Sequence, residues 1–381
     1  MKRIISLLLA CTLAFALSAA ACAEAEENTP YTAEEIKALI DNGTLNLDLI
    51  DPNDLYTKTT AVTIGDQAVS PAMLNYSYIT QYYTFLRSYG SYAAYFGLDT
   101  SLGINALSAQ QCAIAESGTW RDYFLSSAIE SLWSNLALCR YAGANGIALT
   151  EEERAAALEG MDTIETTATE NGFESADDFL ASTYGRGATV ELLRQFSLDF
   201  ALATKAYNEI YNGITVTDDE VRAEHPTIAV RHILVKAAPE EDGSYTDDAK
   251  AEAKARAEEI LAEWLAGEAT EESFAALAEQ YSEDPGSNTN GGLYDSVEQG
   301  QMVQEFDAFC FDEGRKPGDN GIVYGESGSY AGYHVMYFVG EGDLESGREA
   351  LKMTAMNGKL DELMEPYEVL YGPYISFAGI I

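Results

Sequence analysis

Positive charge is scarce in this chain. Only 22 lysines and arginines stand against 62 aspartates and glutamates, a formal net charge of −40 at pH 7. Because phosphates are bound by neutralising them with Lys and Arg, this composition argues against a nucleic-acid partner. An acidic surface instead favours solubility and, weakly, basic clients. Histidine is scarcer still, with 3 in 381 residues. Once Cys11 and Cys22 near the N-terminus are set aside, Cys112, Cys139 and Cys310 remain. Their odd number and lack of C-x-x-C spacing argue against a disulfide framework or a zinc site. A bridge between Cys112 and Cys139 is compatible with an oxidising compartment, and Cys310 in FDAFCF reads as a small buried hydrophobe. Beyond the first turns of sequence no apolar run is long enough to span a bilayer. The chain carries no internal repeat, low-complexity tract or catalytic-triad signature.

What is abundant is apolar and aromatic surface. A 47% hydrophobic share with 24 tyrosines argues for a folded protein, since a disordered chain lacks the burial to offset chain entropy. The length allows roughly two or three domains. Lys2 and Arg3, an apolar run over residues 4–17 and the small residues SAAACA have the three-part layout of a secretory signal peptide, residues 1–21. The mature protein is therefore expected outside the cytoplasm. Cys22 follows Ala19-Ala20-Ala21, an approach that resembles a bacterial lipobox. That resemblance implies a lipid anchor on the outer face of the cell membrane, steadied by a second acyl chain because one chain binds weakly. The alternative is ordinary cleavage after Ala21 or Ala23, which leaves a secreted protein.

Residues 22–60 read as an acidic tether with one short helix near residues 33–40. Residues 61–69, AVTIGDQAV, suggest a hairpin about Gly65-Asp66. Ser70-Pro71 then starts a helix to about residue 98. Its aromatics, Tyr76, Tyr78, Tyr82, Tyr83, Phe85, Tyr89, Tyr92, Tyr95 and Phe96, do not fall on one stripe. Some should therefore pack between helices and others stand exposed or line a cleft. Further helices are expected over 119–142, 150–171, 175–184 and 188–212. Capping boxes at Thr150 and Thr217 open two of the helices of this region. His225-Pro226 ends the last of them and marks a boundary.

Residues 230–236, VRHILVK, and 332–340, GYHVMYFVG, are β-branched apolar runs, each with one histidine set into it. Between them lie FAALAEQYSEDPGS (274–287), NGGLY (290–294) and GQMVQEFDAFCF (300–311). This order of five segments resembles the parvulin family of peptidyl-prolyl isomerases. The resemblance implies an α+β fold, a small antiparallel sheet with flanking helices, over residues 227–340. Helices are expected over 249–266, 270–281 and 301–312, and strands over 318–324 and 333–339. Residues 343–364 are helical in pattern, and the tail EPYEVLYGPYISFAGII is too apolar to hang free. The parvulin-like domain would thus be inserted in a mostly helical chaperone-like domain, residues 61–226 completed by 341–381. That arrangement resembles the extracytoplasmic foldases PrsA and SurA.

Rotating an amide from cis to trans faces a barrier of about 18–20 kcal/mol and breaks no bond, so no nucleophile, metal or cofactor is required. The resemblance implies an apolar prolyl socket made by Leu293, Met302 and Phe306, with Met302 and Phe306 one helical turn apart and Gln301 beside them. It also implies paired imidazoles at His232 and His334, whose plain alternative is structural, and a carboxylate at Asp284 beside the susceptible amide, whose plain alternative is a turn residue before Pro285. Many members carry Gly where Tyr294 stands. Ala331 precedes Gly332 where a hydroxyl is common, leaving Ser329 as the candidate hydroxyl partner of the histidines, in a loop over 325–332 that is longer than usual. The acidic loop 237–248 argues against phosphoserine. The expected function is an extracytoplasmic peptidyl-prolyl isomerase and foldase, with unfolded secreted polypeptides containing X-Pro bonds as partners. The alternatives are a non-catalytic holdase with a degenerate parvulin domain and, more remotely, a surface adhesin.

Overall fold

Chain order follows the capping chemistry closely. A computed structural model describes residues 33–45, 52–114, 118–328 and 330–379; the expected signal peptide, Cys22 and Ser329 lie outside the described residues. The elements are α1 (Ala33–Asp41), α2 (Pro52–Thr57), β1 (Val62–Ile64), β2 (Gln67–Val69), α3 (Pro71–Tyr89), α4 (Trp120–Asn145), α5 (Glu151–Ala157), α6 (Ile164–Glu170), α7 (Ala176–Tyr184), α8 (Val190–Gly213) and α9 (Asp218–Glu224). They continue with β3 (Thr227–Lys236), α10 (Asp247–Ala266), α11 (Glu271–Tyr281), β4 (Leu293–Glu298), α12 (Gln304–Cys310), β5 (Asn320–Ser327), β6 (Tyr330–Glu341), α13 (Glu345–Met364) and β7 (Val369–Tyr371). Reciprocal capping boxes start α4 at Thr119, α5 at Thr150 and α9 at Thr217, satisfying N–H groups that a helix start leaves free.

The chain divides into two compact units, residues 1–213 with 356–381, and residues 214–355. In the first, α3, α4 and α8 pack around a core containing Leu74, Tyr78, Ile79, Trp120 and Phe124. Burying each such large side chain contributes about 1.5–3 kcal/mol. The two chain ends meet here: β7 pairs antiparallel with β1, Val62 opposite Tyr371, giving a sheet ordered β2-β1-β7. Arg121 donates to the carbonyls of Ile375 and Ala378, at 3.5 and 3.1 Å, and the Gly379 N–H donates to Asn75 Oδ1 at 2.7 Å. The aromatics divide as their spacing required. Tyr76, Tyr78, Tyr82 and Phe85 are buried, whereas Tyr83, Tyr89, Tyr92 and Tyr95 are exposed.

Several expectations are corrected. The helix from Pro71 stops at Tyr89 and continues as a 3-10 turn to Phe96. The single helix expected over 150–171 is two, because Gly160 takes a left-handed φ of 86° after α5. Cys112 and Cys139, whose pairing the sequence leaves open, are not joined by a disulfide.

The second unit is a sheet ordered β4-β3-β6-β5, antiparallel throughout. Along β3, Ile233 and Val235 pack with α10 and α11, while Val230 joins the cluster of Phe306, Phe309, Met336 and Phe338 on the α12 side. Because side chains alternate along a strand, His232 shares the α12 face with Val230. This unit is wider than residues 227–340. Arg222 of α9 forms an ion pair with Glu341, and Arg348 of α13 reaches the Val216 carbonyl and Asp218, both at 2.7 Å, which draws 214–226 and 341–355 onto it. Strand β4 was not foreseen. Residues 325–332, expected as a loop, extend the β5–β6 hairpin instead, with Ser327 opposite Tyr330.

Candidate active site

The α12 face of the sheet brings the two strand histidines together. His232 lies opposite Met336 and His334 opposite Leu234, so the imidazoles are diagonal neighbours. Their Nδ1 atoms are 3.0 Å apart and their rings stack at 5.2 Å. Phe306 of α12 stands edge-on to both rings, at 5.4 and 5.3 Å. His232, His334 and Phe306 are all buried.

The turn after α11 supplies the carboxylate. Ser282 and Glu283 hold this turn to Leu234 of β3 through two bonds, Leu234 N–H to Ser282 Oγ at 3.1 Å and Glu283 N–H to the Leu234 carbonyl at 2.9 Å. Asp284 then caps the bend, accepting the Gly286 N–H on Oδ1 at 3.2 Å. Its other oxygen, Oδ2, faces His232 Nε2 at 3.0 Å, Ser287 Oγ at 2.6 Å and the Tyr294 hydroxyl at 3.0 Å. Asp284 is thus both a turn residue and a member of the imidazole cluster. The His232 bond, then those from Ser287 and the Gly286 N–H, hold its carboxyl below the usual range against the opposing effect of burial, so it is ionised at neutral pH.

As a carboxylate Asp284 only accepts, so the hydrogen bond at His232 Nε2 is donated by the imidazole. Burial, then the adjoining His232, pushes the His334 pKa down to about 3, so His334 is neutral at neutral pH, with its Nδ1 3.0 Å from His232 Nδ1 and its Nε2 3.0 Å from the Tyr330 hydroxyl. Ser287 Oγ also lies 3.0 Å from His232 Nε2, so Asp284, Ser287 and His232 close a hydrogen-bonded set that places fixed dipoles beside an apolar wall.

Of the expected socket residues, Phe306 is in this cluster and Met302 packs half-buried against it. Met302 does not share a helical face with Phe306. Val303 is the extended N-cap of α12 and Gly300 takes φ 85°, so the helix begins only at Gln304. Gln301 is exposed, and its side chain closes the preceding turn by accepting the Glu298 N–H at 3.0 Å. Leu293 pairs with Arg231, on the α11 face, whereas Tyr294, which pairs with Val230, packs against the Phe306 cluster. The Gly291-Gly292 turn makes this pairing possible: a Cβ at Gly292 would meet the His232 carbonyl at 2.2 Å. A hollow beside Arg231, Glu271 and Glu279 lies away from the imidazoles, and the Arg231 guanidinium there is taken up by Glu271, Asn290 and Gly291.

Sequence reading missed Ser287, Tyr294 and Tyr330. The signals were present: Ser287 stands three residues after Asp284 in a D-P-G-S turn, and Tyr330 an even four residues before His334 on one strand face. Among the described residues no cluster of His, Cys, Asp and Glu has the form of a metal site.

Residues 216–337 match the family model for the PPIC-type PPIase domain. Over 144 residues the chain is 33% identical to Chaperone SurA of Pseudomonas fluorescens, 37% of this chain and 30% of that one. Over 170 residues it is 29% identical to Foldase protein PrsA 1 of Listeria monocytogenes, 44% of this chain and 49% of that one. The chain thus spans less than half the length of these curated relatives. A crystal structure of the peptidylprolyl isomerase PrsA from Bacillus anthracis aligns over 62% of this chain and 94% of that one, with 19% identity and a TM-score of 0.24.

Proposed function

We propose that this chain, which carries a parvulin-type PPIase domain and is related through it to the PrsA and SurA foldases, catalyses cis–trans isomerisation of X-Pro bonds in unfolded secreted polypeptides. The observation that carries this reading is the edge-on approach of Phe306 to the paired imidazoles of His232 and His334, the first of which meets ionised Asp284. A prolyl ring fits against Phe306, Met302 and the Tyr294 ring, and its amide then lies beside Asp284. Twisting the amide costs its resonance, about 18–20 kcal/mol in water. A site complementary to the twisted form, with fixed dipoles and little solvent, lowers that barrier without covalent chemistry. X-Pro isomerisation takes tens to hundreds of seconds unaided, slow enough to limit a client's folding.

Localisation outside the cytoplasm is part of the same reading. It rests on the N-terminal Lys2-Arg3 and apolar stretch, with membrane attachment through Cys22 as its finer form. The experiment is a protease-coupled isomerisation assay on a short X-Pro peptide with the intact protein, Asp284→Ala and Phe306→Ala. Rates above buffer that fall in both variants are expected; three rates equal to buffer would leave the holdase reading. That second reading is favoured by one observation, the exposed tyrosines Tyr83, Tyr89, Tyr92 and Tyr95 of the first unit, a surface suited to unfolded chains. Suppression of client aggregation that persists in Phe306→Ala would assign client holding to that unit.

A further inference from the structure

We propose that Tyr294 is a catalytic hydrogen-bond donor: its phenol rests on Asp284 in the free protein and transfers its hydrogen bond to the prolyl amide as that amide twists. The inference rests on the isomerase reading above and adds to it a residue outside the expected socket.

Four observations carry it. Tyr294 sits opposite Val230 and packs on the Phe306 cluster, with its ring 5.2 Å from that of His232, so it borders the socket. Its hydroxyl lies 3.0 Å from Asp284 Oδ2, the point at which the amide is expected. That oxygen already receives His232 at 3.0 Å and Ser287 at 2.6 Å. A carboxylate oxygen has two lone-pair directions, so a third donor on it is the one most readily surrendered. Finally, room is kept for the phenol: a Cβ at Gly286 would stand 2.9 Å from its oxygen.

The chemistry follows from what twisting does to an amide. In the planar form the nitrogen lone pair is delocalised into the carbonyl and accepts no hydrogen bond. At the perpendicular geometry the pair is localised and the nitrogen becomes an acceptor. A donor held beside it is therefore of use mainly in the transition state, which is the condition for raising kcat rather than lowering KM. The phenol is suited to this because it stays protonated: burial and then Asp284 push its pKa up to about 12. His232 and Ser287 keep Asp284 satisfied when the phenol leaves. No proton is transferred, and the phenol returns to Asp284 when the product amide flattens.

The test compares full-length wild type with Tyr294→Phe, alone and in an Asp284→Ala background, by isomerisation rates on an X-Pro peptide over a range of concentrations. Tyr294→Phe keeps the ring and is expected to lower kcat about tenfold, with KM within about twofold, as fits the loss of one hydrogen bond in the transition state. The same fold-loss is expected in the Asp284→Ala background, because the phenol acts on substrate. A loss that disappears there would reduce Tyr294 to positioning Asp284, and unchanged or faster turnover in Tyr294→Phe would make it a plain wall or a plug; either result overturns the proposal while leaving the isomerase reading intact. Wild-type rates equal to buffer would overturn both.

Discussion

Tyr330 and His334 sit on one face of β6, four residues apart, and the phenol reaches the imidazole Nε2 at 3.0 Å. Residues 325–332 are therefore part of the site. Extending the β5–β6 hairpin to the Ser327–Tyr330 pair is what brings a hydroxyl over the second histidine.

Tyr330→Phe removes that hydroxyl and strands a buried acceptor on His334. An unsatisfied buried group costs about 1–3 kcal/mol. We expect the second unit to lose stability by that amount in urea unfolding.

Acid should weaken the second unit from below pH 6.5. His334 has a folded pKa near 3 and an ordinary unfolded value near 6.5. Between these values the unfolded chain binds the extra proton, so stability rises with pH across the window and falls on acidification. Asp284 acts in the same direction at lower pH: its folded pKa is depressed, and its contribution, present above the unfolded carboxyl pKa, is lost as pH falls through the folded one. Each unit of difference is worth 1.36 kcal/mol, so descent from pH 6.5 to 4.5 costs about 2–3 kcal/mol from His334. Chemical unfolding at stepped pH measures this, and a flat profile from pH 7 to 4.5 would contradict a buried, neutral His334.

Phe306→Ala opens a cavity against both imidazoles and should cost about 3–5 kcal/mol. Phe306→Leu retains most of the volume. We expect it to stay folded at 25 °C yet lose most of its prolyl affinity, read as a raised KM.

Leu293→Ala separates the two faces of β4. Because Leu293 pairs with Arg231 on the α11 side, the change should leave KM for an X-Pro peptide unaltered, whereas Tyr294→Ala raises it. Equal effects would mean that both side chains line the socket.

In the first unit, Arg121→Met removes the donors to the Ile375 and Ala378 carbonyls. Loss of two charge-assisted bonds, each worth about 1.5–3 kcal/mol, should lower that unit's unfolding midpoint with little effect on isomerisation.

The sequence made legible what depends on local chemistry. Thr150 and Thr217 announced helix starts through hydroxyl and acidic partners three residues on, and the parvulin resemblance announced paired imidazoles at His232 and His334. What it concealed depends on partners distant in the chain. The face on which Leu293 or Tyr294 falls is set by register with β3, and a one-residue difference reverses it. Ser287 and Tyr330 supply hydroxyls to the histidines through a tight turn and a hairpin longer than the pattern suggested. Met302 lost its helical companion because Gly300 and Val303 delay the start of α12. The apolar tail was visibly destined for burial, but nothing in Val369-Leu370-Tyr371 says that its partner is the hairpin at the other end.

That partnership dictates an order of events during synthesis. When β1 and β2 leave the ribosome, one flank of their small sheet has no neighbour until β7 emerges. The second unit, whose four strands all lie within residues 227–341, is synthesised before β7 and can reach its final form first. The first unit is thus the late arrival, because its sheet closes only after the whole of the second unit has been made.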